Sequence, residues 1–461
     1  LRALDSFREF LFLSEKNGLL KRFSSPLSPE FECAYLMRCY DGKETLVFEN
    51  IEGYNDLKIA AGAYNTRQKI ALGLGVSVKE LLSKITDAIR CPGLEIEEAD
   101  LEEAPVREII AKGPNIRQEL PVLRHYEQET HPYMTSSVVI CKDPRNGRIN
   151  ASYHRIKVLS DKKLTLRLVE GRTLYNFHKM AEETDQPLEV AVVIGLDPPA
   201  AIASAISAGN VSEFGIASAL LGKPYEMTPG ITVDLPVPAN AEIVLEGIIL
   251  PHERAKEGPF VELGGVDIIR DQPIMEVSLL SMRENAFYQA LLPAGKEHQL
   301  LQGMPCESTI FEAAKKHAKI VGVNMTPGGA GWLEVAIAIE KNHPYIPKVV
   351  AMAAIHAHSS LKTVIVVDED VDIYDYEELY KTILQRANPS TDLLIVEGIR
   401  GSSLDHSNLR VEGERVVELP PSKLIIDATI KGPKELFQKA TIPLTENVKK
   451  IVFMDKEESS S

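Results

Sequence analysis

Positive charge is scarce in this sequence. Its 461 residues hold 51 lysines and arginines against 66 aspartates and glutamates, a formal net charge of −15. A nucleic-acid-binding protein shows the opposite balance or a strongly basic face, so that class is set aside. Long apolar runs are missing too. None approaches the ~20 residues that cross a bilayer. Arg2, Asp5, Arg8, Glu9, Glu15 and Lys16 interrupt any secretory core near the start. We therefore expect no membrane span and a cytoplasmic protein. Cysteine is sparse: Cys33, Cys39, Cys91, Cys141 and Cys306 form neither a CxxC pair nor a zinc pattern and read as reduced thiols. A dinucleotide fingerprint is absent, because Gly73-Leu-Gly75 lacks its third glycine and follows a helix rather than a strand. Asp368-Glu-Asp370-Val-Asp372 is no EF-hand loop, since Ile373 and Leu379 stand where a glycine and a glutamate are required. His356-Ala-His358 reads as a helix end, and Gly328-Gly-Ala-Gly331 as a hairpin turn.

What is present is an ordinary globular balance of 44% hydrophobic and 25% charged residues. The organisation is α/β, then β, then α/β. Leu4, Phe7, Phe10, Leu11 and Leu13 form one face of an opening helix. The strands 45–49 and 57–63 follow, then a helix capped by Thr66 and stopped at Gly73 and Gly75. We assign residues 1–104 to this N-terminal α/β domain. Residues 105–305 carry short strands (136–141, 188–194, 241–246 and 273–278) between prolines and glycines, which reads as a barrel-like β domain. Residues 306–461 return to α/β, with helices 307–318, 344–358 and 375–386 and strands 319–325, 332–340, 362–367 and 392–396. The tail 456–461 is polar.

An acidic chain that binds an anion must gather its cations locally. One segment does so: between Asn150 and Thr173 stand Arg155, Lys157, Lys162, Lys163, Arg167 and Arg172, against Asp161 and Glu170. Alternation predicts a hairpin turning at Asp161-Lys-Lys163. Ile156, Val158, Leu164, Leu166 and Leu168 lie on one face, and Arg155 and Lys157 on the other. Ser212-Glu-Phe-Gly215 puts a carboxylate at a helix start, and Glu257-Gly-Pro-Phe-Val-Glu262 aims two carboxylates across a Gly-Pro turn.

Asn150-Ala-Ser-Tyr-His-Arg155, Arg167-Leu-Val169, Ser212-Glu-Phe-Gly215, Val237 to Gly247, Glu257 to Glu262 and Asp427-Ala-Thr-Ile-Lys431 together resemble, in order and spacing, the motifs of the UbiD decarboxylases. The resemblance runs from about residue 5 to 445. It implies an N-terminal α/β domain, a central split-barrel flavin-binding domain and a C-terminal α/β oligomerisation domain. It also implies prenylated FMN, made by a flavin prenyltransferase, and a divalent metal, Mn2+ or Mg2+, with K+ as a candidate companion ion. Asn150 and Glu213 then match metal ligands. Tyr153, His154, Arg155, Arg167, Leu168, Val169, Arg172, Thr173, Glu213 and Lys431 match cofactor contacts. Arg155, Glu257 and Glu262 match the catalytic network. Gly171-Arg-Thr173 departs from relatives that carry a histidine near this point. The stretches Leu292–His298 and Gly401–Asp405 look most like the archaeal branch that converts trans-anhydromevalonate 5-phosphate to isopentenyl phosphate. A hydroxyarylic acid decarboxylase is the alternative. A homodimer or higher homo-oligomer is expected through residues 306–450.

Overall fold

The computed structural model describes residues 2–448 apart from 55, 94–95, 208, 210, 264, 403, 413–414, 439, 441, 444 and 447. The polar tail 456–461 lies outside the described residues. Among the described residues, no helix is long and apolar enough to cross a membrane.

A nine-stranded antiparallel sheet forms the centre and curls into a half-barrel, with α/β units before and after it in the chain. An interior strand, Leu188–Ile194, is apolar and buried except at exposed Glu189, because both faces are covered along 190–194. Val190 and Val192 enter one core cluster, while Ala191 and Val193 enter another on the opposite face. The two longest strands, Ile243–Glu257 and Arg270–Met282, pair along most of their length and shift register after Glu246 and again after Ile249. Gly247 is required at the first shift, where a β-carbon would lie 2.1 Å from the Glu276 carbonyl oxygen.

The predicted hairpin is present: Ile156–Val158 pairs with Lys163–Leu166, placing Leu164 opposite Val158 and Leu166 opposite Ile156. All four of these side chains, with Leu168, are buried. The N-terminal sheet joins Leu20–Phe23, Thr45–Phe48 and Lys58–Ala61 to a distant fourth strand, Phe287–Ala290, which pairs in parallel with Lys58–Ala61. Thr66 caps the helix Arg67–Leu74 by accepting from the Lys69 amide, and Gly75 closes it in the left-handed region at φ 67°.

The C-terminal sheet has the order 319–325, 334–340, 363–368, 422–427, 393–397. Its first two strands are antiparallel and joined across Gly328–Gly331, as the hairpin reading expected. His356 and His358 do end the helix Ile346–Ala357. One element is corrected: the helix expected over 307–318 runs from Lys296 to Ala314. Pro305 sits within it without ending it, and Gly303 is needed there because a β-carbon would meet the Gly331 carbonyl oxygen at 2.5 Å.

Candidate active site

The site grows from the segment 149–173. The strand Ile149–Tyr153 and the residues just beyond it carry Asn150, Tyr153, His154 and Arg155, with Asn150 and Tyr153 on opposite faces by strand alternation. Backbone pairing brings Arg167 alongside, its N–H donating to the Arg155 carbonyl at 3.2 Å. The Leu168 amide is held by the Gln272 side chain at 2.7 Å. Tyr153 is packed against the core, whereas Val169 is 45% exposed.

Arg155 is the hub. Its Nε and Nη2 grip the two oxygens of Glu257 at 2.9 and 3.0 Å, a bidentate fork. Nη1 donates to Glu262 at 2.8 Å, and Nη2 also reaches Asp267 at 2.8 Å. The guanidinium lies 4.5 Å over the Phe260 ring, which in turn packs 4.9 Å from Tyr133. Burial opposes the charge on Arg155, yet the carboxylates outweigh it and hold its pKa above the usual value. Burial likewise pushes the Asp267 carboxyl up, but hydrogen bonds from Arg270 and Arg155 hold it below the usual range.

Glu257 is fixed on both sides of its backbone. The Tyr133 hydroxyl accepts from the Gly258 amide at 3.0 Å and lies 3.4 Å from a Glu257 oxygen. The buried Lys157 ammonium donates to the Lys256 and Gly258 carbonyls at 3.0 Å each. Gly258 has φ 96°, and a β-carbon there would lie 3.0 Å from the Ile268 carbonyl oxygen, so the turn demands glycine. The six-cation cluster read from the sequence therefore splits. Arg155 and Lys157 turn inward to carboxylates and carbonyls, while Lys163 pairs with Glu253 and Glu276 at the surface.

Two further participants have no local sequence signal. Asp267 faces Phe260 across the short hairpin made by Phe260–Glu262 and Gly265–Asp267. His298, in the first turn of the helix Lys296–Ala314, lies 3.8 Å from Glu262. The Ala294 amide donates to His298 Nδ1 at 3.1 Å, which leaves Nε2 to carry the ring proton and face Glu262.

A second polar centre lies around Glu213. Ser212 caps the helix Glu213–Leu221, and a Glu213 oxygen accepts from the Ala151 amide, next to Asn150, at 3.2 Å. Burial pushes the Glu213 carboxyl up to about 7, against backbone hydrogen bonds and distant Arg148. No salt bridge to Glu213 is found among the described residues. Asn150 donates through Nδ2 to Ser152 Oγ at 3.0 Å, so its Oδ1 remains available as a hard oxygen donor. An amide oxygen beside a buried carboxylate that lacks a cation fits a divalent metal. The helix Thr173–Glu182 starts after Arg172 with no side-chain cap, and the exposed Arg172 guanidinium, which donates to Ser207 Oγ at 3.4 Å, stands at the same end, an arrangement that suits an anion. Lys431 stands apart: its ammonium pairs with Asp392 at 3.3 Å and Asp427 at 3.2 Å.

Comparison with known proteins decides the lineage. Family models described as the N-terminal, Rift-related and C-terminal domains of 3-octaprenyl-4-hydroxybenzoate carboxy-lyase match residues 11–89, 97–296 and 299–428. The chain belongs to the UbiD family. The anhydromevalonate phosphate decarboxylase of Methanothermobacter thermautotrophicus is 39% identical over 391 residues, covering 83% of this chain and 89% of that protein. The protein of the same name from Methanosarcina mazei is 33% identical, covering 95% and 99%. Among solved structures, an evolved dimeric form of the UbiD-class enzyme HmfF from Pelotomaculum thermopropionicum, in complex with prFMN, superposes with a TM-score of 0.87 at 33% identity, covering 96% of this chain and 98% of that one. The three-part UbiD architecture and the curled central sheet agree with the fold expected from the sequence.

Proposed function

We propose that this UbiD chain decarboxylates an α,β-unsaturated acid with prenylated FMN, converting trans-anhydromevalonate 5-phosphate to isopentenyl phosphate. The observation that carries this reading is the buried Arg155 with Glu257 and Glu262 on its two edges. The substrate assignment follows the names of the relatives above. When bound, the prenylated flavin, supplied by a flavin prenyltransferase, provides the electron sink that no side chain offers for carbon dioxide leaving an sp2 carbon.

The chain's own residues do the rest. Arg155 orients the substrate carboxylate and shares its charge with Glu257. Glu257, Glu262 and Asp267 engage four of the five N–H groups of Arg155, so one N–H of Nη1 is left to meet the substrate carboxylate. Glu262 is on the hairpin rather than the long strands, and it returns a proton from its carboxyl to the carbon that lost carbon dioxide. His298 lies within reach to reload it. Asn150 and Glu213 would hold Mn2+ or Mg2+ beside the cofactor phosphate, with Arg172 and the amides at Thr173 meeting that phosphate. We further propose a homodimer through residues 306–450, where Tyr345 and Met352 of the C-terminal unit are exposed. Light scattering at micromolar protein should show a particle of at least twice 50.9 kDa.

The deciding experiment gives protein loaded with prenylated FMN either trans-anhydromevalonate 5-phosphate or 4-hydroxybenzoate. Turnover of the phosphorylated acid alone is expected. Turnover of 4-hydroxybenzoate instead would move the chain to the hydroxyarylic branch.

A further inference from the structure

The strand that carries Asn150 also carries Ser152 two positions on, and His154 follows just past its end. These three polar groups form one hydrogen-bonded line. Asn150 Nδ2 lies 3.0 Å from Ser152 Oγ, Ser152 Oγ lies 3.0 Å from His154 Nε2, and His154 Nδ1 lies 3.1 Å from the Arg167 carbonyl oxygen. The end of the line sets the direction of every bond in it. A carbonyl oxygen only accepts, so His154 Nδ1 carries the ring proton. Nε2 of the neutral ring is then an acceptor, and the Ser152 hydroxyl must donate to it. With its proton committed, Ser152 Oγ accepts from Asn150, which requires the amide NH2 at that position and places Oδ1 on the other side.

We infer that Ser152 and His154 are positioning residues that fix the polarity of the Asn150 amide, so that its oxygen rather than its nitrogen is offered to a divalent cation. The inference rests on the reading of Asn150 and Glu213 as metal ligands. A flipped amide would present two N–H donors, which repel a cation. The Arg167 carbonyl, tied to Arg155 through the Arg167 amide, is the fixed anchor of the relay. His154 therefore serves the site through Asn150, with both ring nitrogens engaged by the protein. Groups that orient a metal ligand in this way typically govern metal affinity by about 10–100-fold.

The test titrates Mn2+ into protein reconstituted with FMN and follows the electron paramagnetic resonance signal of free Mn2+, with thermal unfolding as the control for folding. Ser152→Ala and His154→Phe should each weaken Mn2+ binding by about 10–100-fold, and Ser152→Thr, which keeps the hydroxyl, should restore it to within a few-fold. The sharper arm is a double-mutant cycle. A carboxylate has two equivalent oxygens and no polarity to set, so Ser152→Ala should cost nothing more in the Asn150→Asp background. An equal loss in both backgrounds would overturn the relay, as would wild-type Mn2+ binding by Ser152→Ala while Asn150→Ala and Glu213→Ala fail to bind. Undiminished binding by Asn150→Ala and Glu213→Ala would instead overturn the metal-site reading, and the relay with it.

Discussion

The two polar centres of the site differ in whether the protein itself supplies a cation. At one, a single guanidinium meets Glu257, Glu262 and Asp267. At the other, buried Glu213 receives a backbone amide and meets no salt-bridge partner among the described residues. At the first centre the guanidinium is already engaged by the protein's own acids and keeps one N–H of Nη1 for a carboxylate. The second has no salt-bridging cation among the described residues, and the metal we propose would supply one. The contrast suits the roles we propose, a guanidinium for the substrate carboxylate at one centre and a carboxylate for a metal at the other.

Removing charge at the two centres should therefore have opposite effects on the metal-free protein. Arg155→Ala strands buried Glu257 without its cation and should cost about 3–5 kcal/mol of stability, read by urea denaturation, along with all measurable turnover. Glu213→Gln removes a buried, unneutralised charge. It should leave the metal-free protein at least as stable as the wild type while abolishing Mn2+-dependent cofactor retention, read from flavin absorbance after gel filtration. A Glu213→Gln protein that unfolded as readily as Arg155→Ala would erase the contrast. Glu262→Gln keeps the shape and the hydrogen bond from Arg155 but loses the transferable proton. Steady-state turnover should fall by about 10²-fold or more with substrate binding retained, and an unchanged rate would take Glu262 out of proton return. The smallest effect is expected at Tyr133→Phe. It deletes the hydroxyl beside Glu257 and should lower stability by about 1–3 kcal/mol, because the Gly258 amide loses its buried acceptor. No change in thermal midpoint would mean that Lys157 alone holds the turn.

How far the sequence reveals this arrangement depends on whether a signal is local. The run Leu188–Ile194 is legible to its last residue because burial on both faces leaves it apolar from Val190 to Ile194, with Glu189 the one exposed charge. The strands expected at 241–246 and 273–278 are only fragments of Ile243–Glu257 and Arg270–Met282. Pro251, His252 and Glu253 look like a turn, and the chain passes through them in an exposed, irregular stretch of strand. Gly303 and Pro305 look like helix breakers, but the glycine answers a close approach from another segment. In the site, Arg155, Glu257 and Glu262 are found through the order of their motifs, and the fold brings them into direct contact. Asp267 escapes notice because exposed Val266, Ile268 and Ile269 surround it and give its stretch the look of an ordinary strand. His298 escapes because only tertiary packing carries a helix start to Glu262.

The strand Phe287–Ala290 has a consequence for synthesis. The N-terminal sheet is completed by residues that follow its Lys58–Ala61 strand by more than two hundred positions. At typical elongation rates of about 5–20 residues per second, the ribosome needs on the order of 10–45 s to deliver that partner. Throughout that interval the first sheet presents an open edge along Lys58–Ala61, where Ile59, Ala60 and Ala61 are all buried in the finished protein. An unpaired apolar edge is a template for the wrong strand. The nascent chain is thus most vulnerable to misassembly before residue 290 emerges, and slowing translation in the stretch between these strands would lengthen that exposure.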